Sequence, residues 1–171
     1  MTSTTPRLLI VAALGLLALT GCAATTDTAA PHTAATSTAT AAASLTITDP
    51  WVKSAETGMS AAFGTLVNVS DTDINVVSAE STAATMIELH ETVADDTGAM
   101  VMQQKEGGFI VPANGTYELA PGANHLMLMG LTEPIVAGAE NTFTLTLSDG
   151  STVEFTAPAK DYSGANESYD K

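Results

Sequence analysis

The sequence predicts an all-β fold, an antiparallel sandwich or barrel, and three observations point there. Short runs that alternate apolar and polar residues recur through the second half and middle of the chain. Turn signals fall between those runs, and no segment sustains the apolar period of an amphipathic helix. Many short strands at such spacing are the pattern of an antiparallel sandwich or a closed barrel.

The elements can be taken in order. Leu45-Thr46-Ile47-Thr48 alternates, as does Phe63-Gly64-Thr65-Leu66-Val67-Asn68-Val69. The stretch Ser78 to Thr85 admits one short helix. Glu88-Leu89-His90, Met100-Val101-Met102 and His125-Leu126-Met127-Leu128-Met129 read as strands, with turns signalled at Asn114-Gly115 and Pro121-Gly122 between the last two. Phe143-Thr144-Leu145-Thr146-Leu147 places Phe143, Leu145 and Leu147 on one face. Ser148-Asp149-Gly150 then turns the chain into Thr152-Val153-Glu154-Phe155-Thr156, a predicted β-hairpin.

The N-terminus carries a different signal. One cation, Arg7, precedes an apolar run from Leu8 to Leu19, followed by Thr20-Gly21-Cys22. The run is too short to span a bilayer as a helix and suits the apolar core of a signal peptide. Small residues before a lone cysteine resemble a bacterial lipoprotein signal, which implies cleavage before Cys22 and lipidation of that residue. The expected organisation is a signal peptide over 1–21, a lipidated, Ala/Thr-rich flexible tether over 22–43, one folded domain over 44–160 and a tail over 161–171. Ten Ala and seven Thr among residues 23–43 leave the tether too little bulk to form a core. As a flexible coil it would reach about 25 Å. The expected location is extracytoplasmic, anchored by lipid to the bacterial cell membrane.

Composition removes whole classes of function. Cys22 is the only cysteine, so the domain has no disulfide, no thiolate metal site and no cysteine nucleophile. The formal charge of −14 becomes one unit more negative when Arg7 leaves with the signal. Such a surface repels phosphate backbones, which excludes nucleic acid as a partner, and draws cations. No Gly-rich phosphate loop, no His-Glu-x-x-His and no Gly-x-Ser-x-Gly is present, so nothing marks the chain as an enzyme. Asp71-Thr72-Asp73 lacks the rest of a calcium loop.

What remains is a concentration of soft donors. Side chains on a strand alternate faces, so His125, Met127 and Met129 share one face, and Met100 and Met102 share one. Four of the six methionines beyond Met1 lie in these two Met-x-Met pairs, and both histidines of the domain lie in or near them. A lone His on a strand is more often a hydrogen-bonded structural residue, and a lone Met more often fills a core gap; Met86 is assigned to the core on that ground. Packing gives no reason, however, for His-x-Met-x-Met along one strand face. Thioether and imidazole are soft or borderline ligands, thioether in particular selects Cu(I), and without Cys the site is not a blue-copper centre. Glu88, Glu91, Asp95 and Asp96 would attract cations or supply extra ligation to Cu(II), with a solvated loop an equal reading of Asp95-Asp96.

From Trp51 to about Lys160 the chain resembles the PCuAC family of periplasmic copper chaperones. The resemblance rests on Glu88-Leu89-His90-Glu91, on Met100-Val101-Met102 and on Pro121-Gly122-Ala123-Asn124-His125-Leu126-Met127-Leu128-Met129-Gly130-Leu131. The family pattern runs from a His, optionally followed by Met, across ten residues to a Met, then about 21 to a second His with a Met two beyond. Here Glu91 stands at the optional Met, Thr92 to Val101 fill the interval before Met102, and 22 residues separate Met102 from His125. The resemblance implies a cupredoxin-like, Greek-key β-sandwich that holds one Cu(I) near its surface through His90, Met102, His125 and Met127. Met100 and Met129 stand as further candidates. It also implies delivery of copper to a recipient such as a cytochrome c oxidase subunit or its assembly factor. A metal-free structural or adhesion lipoprotein and a copper storage or resistance binder are the alternative readings.

Overall fold

The computed structural model describes residues 40–163. The signal segment, Cys22 and nearly all of the expected tether lie outside the described residues, as does the tail beyond Ser163. Ten strands follow a single 3₁₀ turn at Ala41–Ser44: β1 (Leu45–Lys53), β2 (Met59–Asn68), β3 (Ile74–Glu80), β4 (Ala84–Ala94), β5 (Met100–Gln104), β6 (Phe109–Val111), β7 (Thr116–Leu119), β8 (His125–Leu131), β9 (Glu140–Leu147) and β10 (Thr152–Lys160). Hydrogen bonding runs in the order β5-β4-β8-β2-β1-β10-β9-β3-β6, and β7 continues beside β2 where β8 leaves it. Side chains from β4, β8, β2 and β1 share one core with those from β10, β9, β3 and β6, which makes the fold a cupredoxin-like β-sandwich.

One leaf is β5-β4-β8-β2-β1 and the other is β10-β9-β3-β6. All pairings are antiparallel except β1 with β10, which run parallel where Val52 meets Ala159. The antiparallel expectation therefore needs that one correction. It arises because the last strand returns along the edge strand of the first leaf and ties the two leaves together.

The alternation read from sequence becomes the core. Phe143, Leu145 and Leu147 are buried along β9, in one core with Val76 and Phe109 of the same leaf and Val52, Leu66, Leu126 and Leu128 of the other. Each such side chain contributes about 1.5–3 kcal/mol by leaving water. The β9–β10 hairpin forms as expected, with Gly150 at φ +80 and Asp149 Oδ1 accepting from the Ser151 amide and hydroxyl. No helix forms over 78–85. Ser78–Glu80 end β3 and Ala84 and Thr85 begin β4, because Ala79 and Ala84 are needed in the core on successive antiparallel passes. Residues 41–43, which composition places in the tether, belong to the 3₁₀ turn. Ala41 and Ala42 pack on the core, and their amides donate to Asp149 Oδ2 and Ser151 Oγ.

Asn68 holds the crossings between leaves. It is 1% exposed at the end of β2. Its Nδ2 donates to the carbonyls of Thr72, Val111 and Pro112, and its Oδ1 accepts from the Ser70 amide and hydroxyl. One amide thus joins the β2–β3 turn to the end of β6. Truncation leaves buried carbonyls without a donor, at about 1–3 kcal/mol for each group stranded. Asn68→Ala is expected to lose at least about 2 kcal/mol in urea unfolding. A loss below about 0.5 kcal/mol, the size of an ordinary surface change, would show that the crossing is held elsewhere.

Candidate metal centre

The core decides which side chains reach the outer face of the first leaf. Leu126 and Leu128 of β8 and Leu89 of β4 point inward. Alternation then sends His125, Met127 and Met129 outward on β8, and Met86, Glu88 and His90 outward on β4. The two strands pair antiparallel with His90 opposite His125, Glu88 opposite Met127 and Met86 opposite Met129. Two histidines 35 positions apart in sequence therefore lie side by side. Their ring centroids are 5.4 Å apart and their planes meet at 66°.

Met127 is the next outward residue of β8 after His125. Met102 sits on β5, opposite Thr92, which is the next outward residue of β4 after His90. The pattern along β5 separates its two methionines: Met102 is 5% exposed, the one buried side chain of that edge strand, whereas Met100 is 61% exposed. His90, His125 and Met127 are buried as well, none more than 6% exposed. The site was expected near solvent, and the donors instead lie beneath the surface. Phe63 stands 6.2 Å from the His125 ring, centroid to centroid, with Trp51 packed on Phe63 at 4.4 Å and Tyr162 edge-on to Trp51 at 5.4 Å. This aromatic wall, on β1, β2 and the chain after β10, carries no motif in the sequence.

Hydrogen bonds fix both rings. His125 Nδ1 lies 2.8 Å from the Ala123 carbonyl, which can only accept, so Nδ1 holds the proton and Nε2 the lone pair. The Thr92 hydroxyl donates to that same carbonyl at 3.2 Å and pins the loop before β8 to β4. His90 Nε2 lies 2.9 Å from Glu88 Oε2, and the carboxylate is largely buried. With an ionised carboxylate as acceptor the proton sits on Nε2 and the lone pair on Nδ1. Glu88 is thus the partner of a histidine, a tighter role than general attraction of cations. Glu91 is occupied elsewhere: Lys105 Nζ donates to it at 2.6 Å, and this bond holds its carboxyl below the usual range. Asp95 turns the β4–β5 hairpin by accepting from the Thr97 hydroxyl and from the Ala99 and Thr97 amides, and these bonds, the hydroxyl's foremost, hold its carboxyl below the usual range.

Met86 was expected in the core and is instead 48% exposed. It shares the parity of Glu88 and His90 on β4, so burying Leu89 puts it outside. Met129 is partly buried at the far end of the outward face, away from the histidine pair. Among the described residues no three His, Cys, Asp or Glu side chains group so as to hold a metal.

Gly130 closes β8 against β4. Its φ is +64, and a Cβ there would run into Thr85 Oγ1, which donates to the Met129 carbonyl at 3.0 Å. Gly130→Ala is expected to cost about 1–3 kcal/mol, read by denaturant unfolding of the apo protein. An unchanged midpoint would mean that β8 does not depend on this contact.

The fold and the outward His/Met face define a PCuAC-like β-sandwich. The profile of the LpqE-like family, described as "Putative lipoprotein LpqE-like", matches residues 45–159, and the chain belongs to that family. It is 45% identical over 171 residues to "Putative lipoprotein Lxx21020" of Leifsonia xyli subsp. xyli (strain CTCB07), covering 99% of both chains. Among solved structures it is similar to CuI-DR1885 from Deinococcus radiodurans, at 30% identity and TM-score 0.55 over 72% of this chain and 84% of that one. It also shares its fold with the copper-bound PCuAC domain from PmoF2, at 17% identity and TM-score 0.57, over 70% of this chain and 94% of that one.

Proposed function

We propose that this protein is a lipid-anchored, extracytoplasmic copper chaperone that binds one Cu(I) through His90, Met102, His125 and Met127. The observation that carries the reading is the pairing of His90 with His125, with Met127 the next residue on the same face. The Cu(I)-bound relative from Deinococcus radiodurans supports it, as does the copper-bound PCuAC domain from PmoF2, which shares the fold. Two neutral imidazoles and two thioethers form a soft set suited to Cu(I), and the lone pairs on His90 Nδ1 and His125 Nε2 are the ones offered to the ion. Glu88 then serves as the carboxylate partner that orients His90. The chain makes no bond and breaks none in its cargo: it is a carrier, and the transfer step is exchange of one ligand at a time with a recipient. Cytochrome c oxidase assembly is the destination the family resemblance favours.

The lipoprotein family and the Cys22 signal support attachment to the membrane by lipid, with residues 22–43 as the tether. Among the described residues no helix is long and apolar enough to cross a membrane. Burial of all four donors also suits a storage protein, since buried ligands exchange slowly. Deletion of the gene separates the two readings: a chaperone's loss depletes oxidase copper at ordinary copper supply, and a storage protein's loss does not.

Ligand and packing roles separate by substitution. Met127→Leu nearly conserves volume and should cost under about 1.5 kcal/mol of apo stability. Its Cu(I) affinity should fall at least about tenfold in competition with a colorimetric chelator, about 1.4 kcal/mol of binding. Met102→Leu should behave alike, His125→Ala should abolish tight binding, and Met100→Leu should leave it unchanged. If Met100→Leu weakens binding and Met102→Leu does not, the β5 ligand is misassigned.

Anchoring has its own test. Cys22→Ser should accumulate as unprocessed precursor or leave the membrane fraction. Normal processing with unchanged membrane association would remove the lipid anchor from the proposal.

A further inference from the structure

The outward face that carries His90 and His125 ends, at its other extreme, in three methionines. Met59 of β2 lies opposite Met129 of β8, and Met129 lies opposite Met86 of β4. They form one row across three adjacent strands. Met59 is 49% exposed and Met86 48%, with Met129 between them and partly covered. Packing does not account for them. Large apolar side chains at such exposure gain little burial, and three of a kind in register is not what core filling produces.

Geometry makes the row a donor set. Adjacent strands lie about 4.8 Å apart, and directly opposed Cβ atoms about 4.5–5.5 Å. A methionine arm has three rotatable bonds, so sulfurs from the two outer strands can reach an ion held above Met129. Three thioethers are neutral and soft; they suit Cu(I) and offer little to Zn(II), Ca(II) or Mg(II). Gly130 and the Thr85 hydroxyl fix the backbone on which Met129 stands.

The row also connects to the buried donors. The next outward row is Ala61, Met127 and Glu88, and the one after it holds His125 and His90. Met129 and Met127 are two residues apart on one strand face, about 7 Å along β8. Ala61, opposite Met127 on β2, carries only a methyl. A file of sulfur thus leads from solvent to the histidine pair.

We propose that Met59, Met86 and Met129 form a second, solvent-facing Cu(I) site, weaker than the buried one, through which copper reaches or leaves the histidines by way of Met127. The binding claim stands on the trio alone; the relay rests on the His/Met reading proposed above. In the relay the ion exchanges the Met129 sulfur for that of Met127 and remains Cu(I), with no electron or proton moved.

The test uses the mature lipidated chain in detergent, labelled with ¹³C at the methionine methyls, and Ag(I) as a redox-inert stand-in for Cu(I). The first equivalent should shift the Met102 and Met127 methyls, and the second those of Met59, Met86 and Met129. The double variant Met59→Leu/Met86→Leu changes only exposed positions and should lose the second equivalent while keeping the first. His125→Ala should lose the first and keep the second. If the Met127 methyl moves while those of Met59, Met86 and Met129 stay fixed at excess Ag(I), the surface site is overturned and the buried one stands. If only the surface trio responds, the buried-site reading fails and the surface site stands. The relay is read separately, by stopped-flow transfer of Cu(I) from a chelate to the buried site. Slower loading in the double variant supports it, and an unchanged rate overturns it.

Discussion

The in-register pairing of β4 with β8 is the constraint on which the site depends. It runs from Ala84 opposite Leu131 to His90 opposite His125. The core enforces it: Leu89, Leu126 and Leu128 must all point inward. A slip of one residue on either strand would turn those leucines to the outer face and drive histidine, methionine and glutamate into the core. Fully burying a leucine contributes about 1.5–3 kcal/mol, and burying an unpaired polar group costs a comparable amount, so the slipped register loses on both counts. The hydrophobic core therefore sets the position of the two imidazoles.

The same constraint explains what was legible in the sequence. Strand alternation and turn residues marked β1, β2, β8, β9 and β10 because each half-buried strand writes its two faces directly into the residue order. Parity also grouped His125 with Met127 and Met129. Pairing between distant strands was not written there: nothing local says that β4 lies beside β8 instead of β3, and the sequence pattern placed His90 near His125 only through the family resemblance. The misreading of Met86 shows the limit clearly. Its parity with His90 was visible, but a methionine judged alone looks like core filling. The helix admitted over 78–85 failed for a related reason, since small residues that serve a strand's core face carry no strong period of their own. Glu88 and the Trp51–Phe63 wall matter through contacts that only the folded chain creates.

Burial gives Glu88 a further meaning. Two imidazoles and two thioethers bring no charge, so Cu(I) among them would leave a net positive charge below the surface. Such a charge is costly unless paired. The Glu88 carboxylate lies 2.9 Å from His90 Nε2 and would balance that charge through the ring. The same contact holds the proton on Nε2 and leaves the lone pair on Nδ1. One side chain thereby answers both demands of a covered cation site, orientation and charge, without joining the soft donor set.

A covered site raises the question of how the ion moves, and the charge distribution bears on it. The chain is strongly acidic, which raises the local concentration of any cation at its surface, but carboxylates are hard donors and hold Cu(I) poorly. Attraction by charge and selection by softness are thus separate steps. The acidic surface gathers cations of every kind, and only a thioether can then distinguish Cu(I) from the more abundant hard ions. On this outer face the sulfurs grade from the half-exposed Met59 and Met86 through Met129 to the buried Met127. On the proposed route, selection by sulfur would precede contact with imidazole, which on its own would also accept Zn(II) or Cu(II). The order of donors along the strand, and not the composition of the final shell alone, is what would keep the histidine pair for Cu(I).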